Sequence, residues 1–301
     1  MWGFINRPPS TVYRPFPVPH FPPPCYNRGM APIASTHELR DFTVSLARDA
    51  GALLLDWYES ELTLTTKSSD IDLVTQADRA SEELIIGRIH ERFPDHAILA
   101  EESGELARQS DFRWIVDPLD GTTNFAHAFP HFCVSIALQQ NGETILGVLY
   151  DPLRQELFRA EKGGGAWLES PRGPARRLQV TPTERLGAAL LANGFAYRRA
   201  TLPTNNIAEF ERTILRIRDI RRAGSAALDL AYVACGRVDG YWEYHMQAWD
   251  TAAAALLVTE AGGILRQING DPWTPWTAST VASNPALMPV LLAALQGKDE
   301  G

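Results

Sequence analysis

The sequence predicts a mixed α/β protein, with an antiparallel sheet and helices in its first half and alternating strands and helices in its second. Three observations carry this. Apolar residues recur at helical spacing through Leu39, Phe42, Leu46, Ala50, Leu53 and Trp57. Two strand-like runs, 132–138 and 144–150, flank Asn141-Gly142, the dipeptide that favours a tight hairpin. After residue 189, short apolar strands alternate with helical stretches that stop at Gly236 and at Gly262-Gly263.

Residues 1–34 stand apart. Eight prolines between positions 8 and 24, and no Asp or Glu, exclude helix and central strand there. The segment is expected to be a disordered tail, or to lie upstream of a true start at Met30. It lacks the apolar stretch of a secretory signal. An ordered domain is expected over 35–298, with a first subdomain to about 182 and a second from about 183. Ser35 and Glu38 have the spacing of a capping box and open the first helix. A second helix is expected over 75–92, with Leu84, Ile85 and Ile89 on its apolar side, ending before Pro94. Ala97-Ile98-Leu99-Ala100 is a short strand that delivers Glu101 and Glu102. Arg113-Trp114-Ile115-Val116 is another that delivers Asp117 and Asp120, and Pro118, with no N–H for the ladder, is expected to end it. Beyond the hairpin, strands at 157–160 and 166–168 extend the antiparallel sheet. The second half is expected to carry strands at 189–192, 220–222, 240–244, 264–268 and 280–282. Its helices are expected at 205–217, 225–235, 251–261 and from 285 onward.

A chain of 301 residues is long enough for one large domain or two packed halves. Its net charge of −8 argues against charge-driven binding, so no nucleic-acid partner is expected. Cys25, Cys133 and Cys235 form neither a metal-ligand cluster nor a disulfide framework, which suits a reducing compartment, the cytoplasm. No apolar run is long enough to span a membrane. The histidines show no metal spacing: His90 and His96 are expected at the surface, and His127 and His131 flank the segment after Asp120 without an evident role. Gly163-Gly164-Gly165 lacks the Lys-Ser/Thr ending of a phosphate loop and reads as a turn. Arg221-Arg222 are expected at the surface or between subunits, with phosphate binding the lesser alternative. Ser103, Ser135 and Ser225 sit in no nucleophile elbow.

The chemistry concentrates in acids at element boundaries: Glu101, Asp117, Asp120 and Asp250. Asp117-Pro118-Leu119-Asp120-Gly121-Thr122-Thr123-Asn124 sets two carboxylates three residues apart across the junction of a strand with a turn or helix start. Free N–H groups at such a junction suit phosphate. Oxygen ligands without His or Cys select a hard cation such as Mg²⁺. Gathered carboxylates repel one another, so the cluster implies cations. Glu243 ends an aromatic strand, Tyr241-Trp242-Glu243-Tyr244, seven residues before Asp250.

Trp114-Ile115-Val116-Asp117-Pro118-Leu119-Asp120-Gly121-Thr122-Thr123-Asn124-Phe125 resembles the first signature of the inositol monophosphatase family. Trp249-Asp250, with the run through Glu260-Ala261-Gly262-Gly263, resembles the second. Ala100-Glu101-Glu102-Ser103 is similar to a third motif, with Ala100 where Gly is usual. The stretch from Lys67 to Asp78 is similar to the segment that supports the site. The match is collinear from about 37 to 295. The resemblance implies a layered αβαβα sandwich and a Mg²⁺-dependent, Li⁺-sensitive phosphatase with two or three cations per site. Glu101, Asp117, the Leu119 carbonyl, Asp120 and Asp250 would be the metal ligands, and Glu101, Thr122 and Asp120 the catalytic set. Lys67 and Asp78 would support them from behind through hydrogen bonds. Asp120, Gly121, Thr122, Ala226, Glu243 and Asp250 would bind the substrate, a small phosphorylated polyol such as myo-inositol 1-phosphate. The resemblance also implies a homodimer. Sister activities on fructose 1,6-bisphosphate, histidinol phosphate or 3′-phosphoadenosine 5′-phosphate remain open. So does a binding role associated with transcription or ribosomal RNA, as some bacterial relatives act on the transcription machinery.

Overall fold

The computed structural model describes residues 35–60, 64–66 and 73–298. The proline-rich segment and Lys67 lie outside the described residues. Helix α1 (Thr36–Trp57) opens on the expected capping box: Ser35 Oγ accepts the Glu38 N–H, and the Glu38 carboxylate accepts the Ser35 N–H at 2.8 Å. Strands β1 (Leu64–Thr66) and β2 (Leu73–Thr75) pair antiparallel, and α2 (Gln76–Arg92) follows, capped by Thr75. Next come β3 (Ala97–Ala100), β4 (Gly104–Leu106), β5 (Phe112–Asp120), the five-residue α3 (Thr122–Ala126), β6 (Cys133–Gln140) and β7 (Glu143–Asp151). Strands β8 (Glu156–Glu161), β9 (Gly165–Ser170) and β10 (Gly173–Arg177) complete an eight-stranded sheet ordered β10-β9-β8-β7-β6-β5-β3-β4. Only β3 and β5 pair in parallel within it. The β6–β7 turn is Asn141-Gly142, with φ of 52° and 82°, the left-handed pair a tight hairpin requires.

The second half contributes β11 (Leu190–Asn193), α4 (Ile207–Ile214), β12 (Asp219–Arg221), α5 (Ala226–Ala234) and β13 (Gly240–Tyr244). Helix α6 (Ala248–Glu260), β14 (Ile264–Arg266), β15 (Ser279–Ser283) and α7 (Leu287–Leu295) follow. The five-stranded sheet has the order β12-β11-β13-β15-β14. Helices α1 and α2 cover one face of the large sheet, α5 and α6 fill the space between the sheets, and α4 and α7 lie against the far side of the small one. This is the expected layered αβαβα sandwich. Strand β13 shows how one sequence serves two layers. Tyr241 packs with α5 and α6, while Trp242 packs with Leu287 and Leu291 of α7. Successive side chains of a strand point to opposite faces, so one aromatic pair anchors both sides of the sheet. Helix α6 lies close against the large sheet because both partners are small: a Cβ at Gly147 of β7 would come within 2.6 Å of the Ala253 carbonyl.

Four local expectations are corrected. Pro118 does not end β5, which runs to Asp120. The β5–β6 register shifts between Asp117 and Asp120, and a proline is tolerated at such an irregularity because no ladder N–H is demanded there. Helix α6 begins at Ala248, three residues earlier than expected, so Asp250 lies within its first turn. His96 is half-buried rather than freely exposed: its Nδ1 accepts the Trp114 indole N–H at 3.0 Å, and its ring stacks on Phe93 and Phe112. Helix α4 is also shorter than its periodicity suggests.

Candidate active site

The carboxyl ends of the parallel pair β3 and β5 deliver Glu101 and Asp117–Asp120 to one place. Several bonds fix that junction. Ser81 Oγ of α2 donates to the Pro118 carbonyl at 3.0 Å. The Leu119 N–H donates to Asp117 Oδ1 at 3.0 Å. The chain then turns through Gly121, whose φ of 103° and approach to the His131 carbonyl leave no room for a side chain. Asn124 Nδ2 donates to the carbonyls of His131 and Ala223, tying α3 to the segment before α5.

From the second half, α5 and α6 present their first turns to the same place. Ser225 Oγ and the Ala227 N–H donate to Asp120 Oδ2 at 2.6 and 2.7 Å. The Ala226 N–H is likewise directed at Asp120, so here it serves a carboxylate of the protein itself. Asp250 Oδ2 accepts the Gln247 N–H at 2.7 Å and closes a capping box on α6. Ser135 Oγ of β6 donates to the Trp249 carbonyl at 3.2 Å and fixes the start of that helix.

Glu101, Asp117, Leu119, Asp120, Gly121, Thr122, Ala226, Glu243 and Asp250 all line one cavity of about 670 Å³, within the range of small-molecule sites. Every metal, catalytic and substrate residue expected from sequence is therefore on that wall. Asp78 stands behind it. The Thr122 hydroxyl lies 2.9 Å from Asp78 Oδ1 and 3.2 Å from the Leu119 carbonyl, while Asp78 Oδ2 accepts from the N–H and hydroxyl of Thr75.

The acids disturb one another. Burial, and then the charges of Glu101, Asp120 and Asp250, push the Asp117 carboxyl well up. Burial raises Asp120 to about 6, against the pull of Ser225 and Ala227. Burial, Asp120 and Glu101 raise Asp250. Burial carries Glu243 to about 7, opposed by the Tyr241 hydroxyl that donates to it and by the charge of Arg222. The Glu243 carboxylate occupies the space a side chain at residue 194 would need, so Gly194 is a condition of its position.

Among the described residues, no three Asp, Glu, His or Cys side chains close on a single point. The acids instead face a shared cavity, with oxygen donors alone. That donor set fits a hard cation that keeps water and substrate oxygens in its shell, as Mg²⁺ does. Cys133 is buried beside Ser225, and burial raises its thiol well up, so it adds no soft ligand.

Sequence reasoning missed several cavity residues. Tyr197, Arg198, Arg199, Gln247 and Asp229 also line it, and so does Arg222, for which a place at the surface or between subunits was expected. The first four lie on connecting segments or at a helix cap whose course no periodicity reveals. Asp229 did leave a signal: it is an acid inside the apolar run Ala226 to Ala234.

A model of the inositol monophosphatase family matches residues 35–300. The chain is 43% identical over 259 residues to the protein named Nus factor SuhB of Pasteurella multocida, covering 85% of this chain and 95% of that one. It is 46% identical over 236 residues to the inositol-1-monophosphatase of Synechocystis sp., covering 78% and 80%. The crystal structure of the extragenic suppressor protein suhB from Bartonella henselae superposes with a TM-score of 0.79 at 39% identity, covering 85% of this chain and 97% of that one.

Proposed function

This chain belongs to the inositol monophosphatase family, and on that premise we propose that it is a Mg²⁺-dependent phosphomonoesterase that hydrolyses myo-inositol 1-phosphate to inositol and phosphate. One observation carries the reading: four acids of the family signatures share a cavity with Glu243 on its wall. Glu101, Asp117, the Leu119 carbonyl, Asp120 and Asp250 would hold two or three cations. Bound there, cations would acidify a water and offset charge on the phosphoryl oxygens.

The chain's own groups do the rest. The Thr122 proton is directed to Asp78 or to the Leu119 carbonyl, so its oxygen lone pairs can accept from the attacking water and orient it. Glu101 accepts a proton from the same water. The N–H groups of Gly121 and Thr122 meet the phosphate. Glu243 accepts a ring hydroxyl, with Ala226 and Asp250 bounding the polyol. Asp78 and Lys67 support the water-binding groups from behind. The same family membership suggests a homodimer in the cytoplasm, which sedimentation and fractionation would test.

A phosphate-release screen over myo-inositol 1-phosphate, fructose 1,6-bisphosphate, histidinol phosphate and 3′-phosphoadenosine 5′-phosphate tests the assignment. The inositol ester is expected to give the highest kcat/KM, activity to vanish with excess EDTA and return with Mg²⁺, and Li⁺ to inhibit. Turnover in excess EDTA would overturn the cation requirement. A higher kcat/KM on another ester would move the substrate assignment to it.

A second reading rests on the relative named Nus factor SuhB. It gives this chain a binding role associated with transcription or ribosomal RNA, with catalysis incidental. Capture of RNA polymerase by both wild type and Asp117→Asn, at equal yield, would support it.

A further inference from the structure

Asp229 is a cavity acid without a role in the reading above. It stands in the first turn of α5, is 3% exposed, and lines the cavity together with Tyr241 and Glu243. Its neighbours on the wall are held by the protein: Asp117 accepts from Leu119, Asp120 from Ser225 and Ala227, Glu243 from Tyr241, and Asp250 from Gln247. No donor among the described residues reaches the Asp229 carboxyl within hydrogen-bond distance. The nearest nitrogen of a basic side chain is His131 Nε2, 3.9 Å from Oδ1, too far for a hydrogen bond. That ring nitrogen is itself buried without a partner. Nor is the pair ionic near neutral pH: burial and the Arg154 charge hold His131 down to about 4, and burial and the charges of Asp120 and Glu243 hold Asp229 well up.

A buried polar group without a partner is unfavourable, and natural proteins seldom keep one that nothing satisfies. Water or a ligand in the cavity is the remaining source of a donor. A carboxyl keeps acceptor lone pairs whether or not it holds a proton, so a ligand group that pairs with them must carry a hydrogen to give. Arg222 lines the same cavity, and its charge opposes the effect of burial on both Asp229 and Glu243. Two carboxyls and one guanidinium on a shared wall match a ligand with several adjacent hydroxyls, whose oxygens both donate and accept.

We propose that Asp229 is a specificity-determining hydroxyl acceptor, which together with Glu243 selects phosphate esters carrying at least two free hydroxyls on the phosphorylated ring. The inference rests on the polyol-phosphatase reading and adds a second point of recognition to it. It divides the labour on the wall: each acid senses its own hydroxyl, and a substrate lacking either one leaves a buried carboxyl unpaired.

The test measures kcat/KM of wild type, Asp229→Asn, Asp229→Leu and Glu243→Gln on myo-inositol 1-phosphate and on its singly deoxygenated analogues, with Mg²⁺ present. Wild type is expected to disfavour at least two analogues, each by about tenfold or more. Asp229→Leu should erase the discrimination against one of them and keep the discrimination that Glu243→Gln erases. Asp229→Asn, which keeps an acceptor oxygen and the shape, should retain part of it and serves as the test if the Leu variant does not fold. An equal loss on every analogue, or a wild type indifferent to deoxygenation, overturns the proposal. If wild type releases no phosphate from myo-inositol 1-phosphate, the polyol reading fails and this inference falls with it. If wild type turns the ester over and the discrimination survives in both Asp229 variants, only this inference is overturned.

Discussion

Asp117 is buried, takes one N–H from Leu119, and faces the charges of Glu101, Asp120 and Asp250. Asp117→Asn keeps the side chain's shape and removes one of those charges. Turnover of every phosphate ester is expected to fall by about 10²-fold or more if several kcal/mol of cation-derived stabilisation is lost. Steady-state kinetics on myo-inositol 1-phosphate and 4-nitrophenyl phosphate read this, and a loss confined to one of the two would contradict it. Gly194→Ala makes a complementary case. Its methyl group would take the place of the Glu243 carboxylate. KM for the inositol ester is expected to rise by about tenfold, the scale of one lost recognition contact, with a smaller effect on the aryl ester, which has no ring hydroxyls. Equal effects on both would mean that Glu243 does not read a hydroxyl.

Ser225 both caps α5 and donates to Asp120, so the helix and the site share one hydroxyl. Ser225→Ala is expected to destabilise the fold by about 0.5–2 kcal/mol, the usual cost of a lost cap, with a fall in kcat alongside. Urea denaturation paired with kinetics checks both, and unchanged stability would deny the cap its role. At this scale the sequence was most legible where a local signal decides the structure. The Asn141-Gly142 turn, the Ser35 capping box, and the strands at 97–100 and 240–244 follow from turn chemistry, capping and apolar runs with clear ends. It was least legible where a neighbour decides. The course of β5 past Pro118 depends on its register with β6, the position of His96 on a cross-strand tryptophan, and the start of α6 on the Gln247–Asp250 cap. The three-residue strands β1 and β2 carry too few side chains to show alternation. In the candidate site, the signature acids could be read from motif and the resemblance implied that they share one site, but the elements that bring them together could not be read from spacing. Glu101 and Asp117 meet because β3 and β5 are parallel neighbours, and Asp250 joins them from a helix far along the chain.

Across the whole molecule, two sets of carboxyls pull stability in opposite directions with pH. Asp120 at about 6, Glu243 at about 7, and Asp229 and Asp250 well up all hold protons in the folded state that the unfolded chain has released, so stability falls as pH rises through that window. Glu156 behaves oppositely. Burial would raise its carboxyl, but the paired bonds from Arg237 outweigh burial and hold it below the usual glutamate range. Its contribution is therefore lost as pH falls through the lowered value. In EDTA, the melting temperature is expected to be higher near pH 5 than at pH 8 by at least about 3 °C, a shift that about 1 kcal/mol produces in a domain of this size. Mg²⁺ should narrow the gap by raising the pH 8 value. A melting temperature in EDTA that climbs from pH 5 to pH 8 would contradict the cavity electrostatics. The distribution of the site along the chain has one more consequence. Glu101, Asp117 and Asp120 precede residue 183, Glu243 and Asp250 follow it, and Asp120 is held by Ser225 and Ala227 from the other side. A break between 182 and 183 would therefore yield two silent fragments, each exposing the apolar face the other covers, and hydrolysis would return only on their reunion. The fold is in this sense a two-key lock, and fusing each fragment to one member of an interacting pair would turn phosphate release into a report that the pair has met.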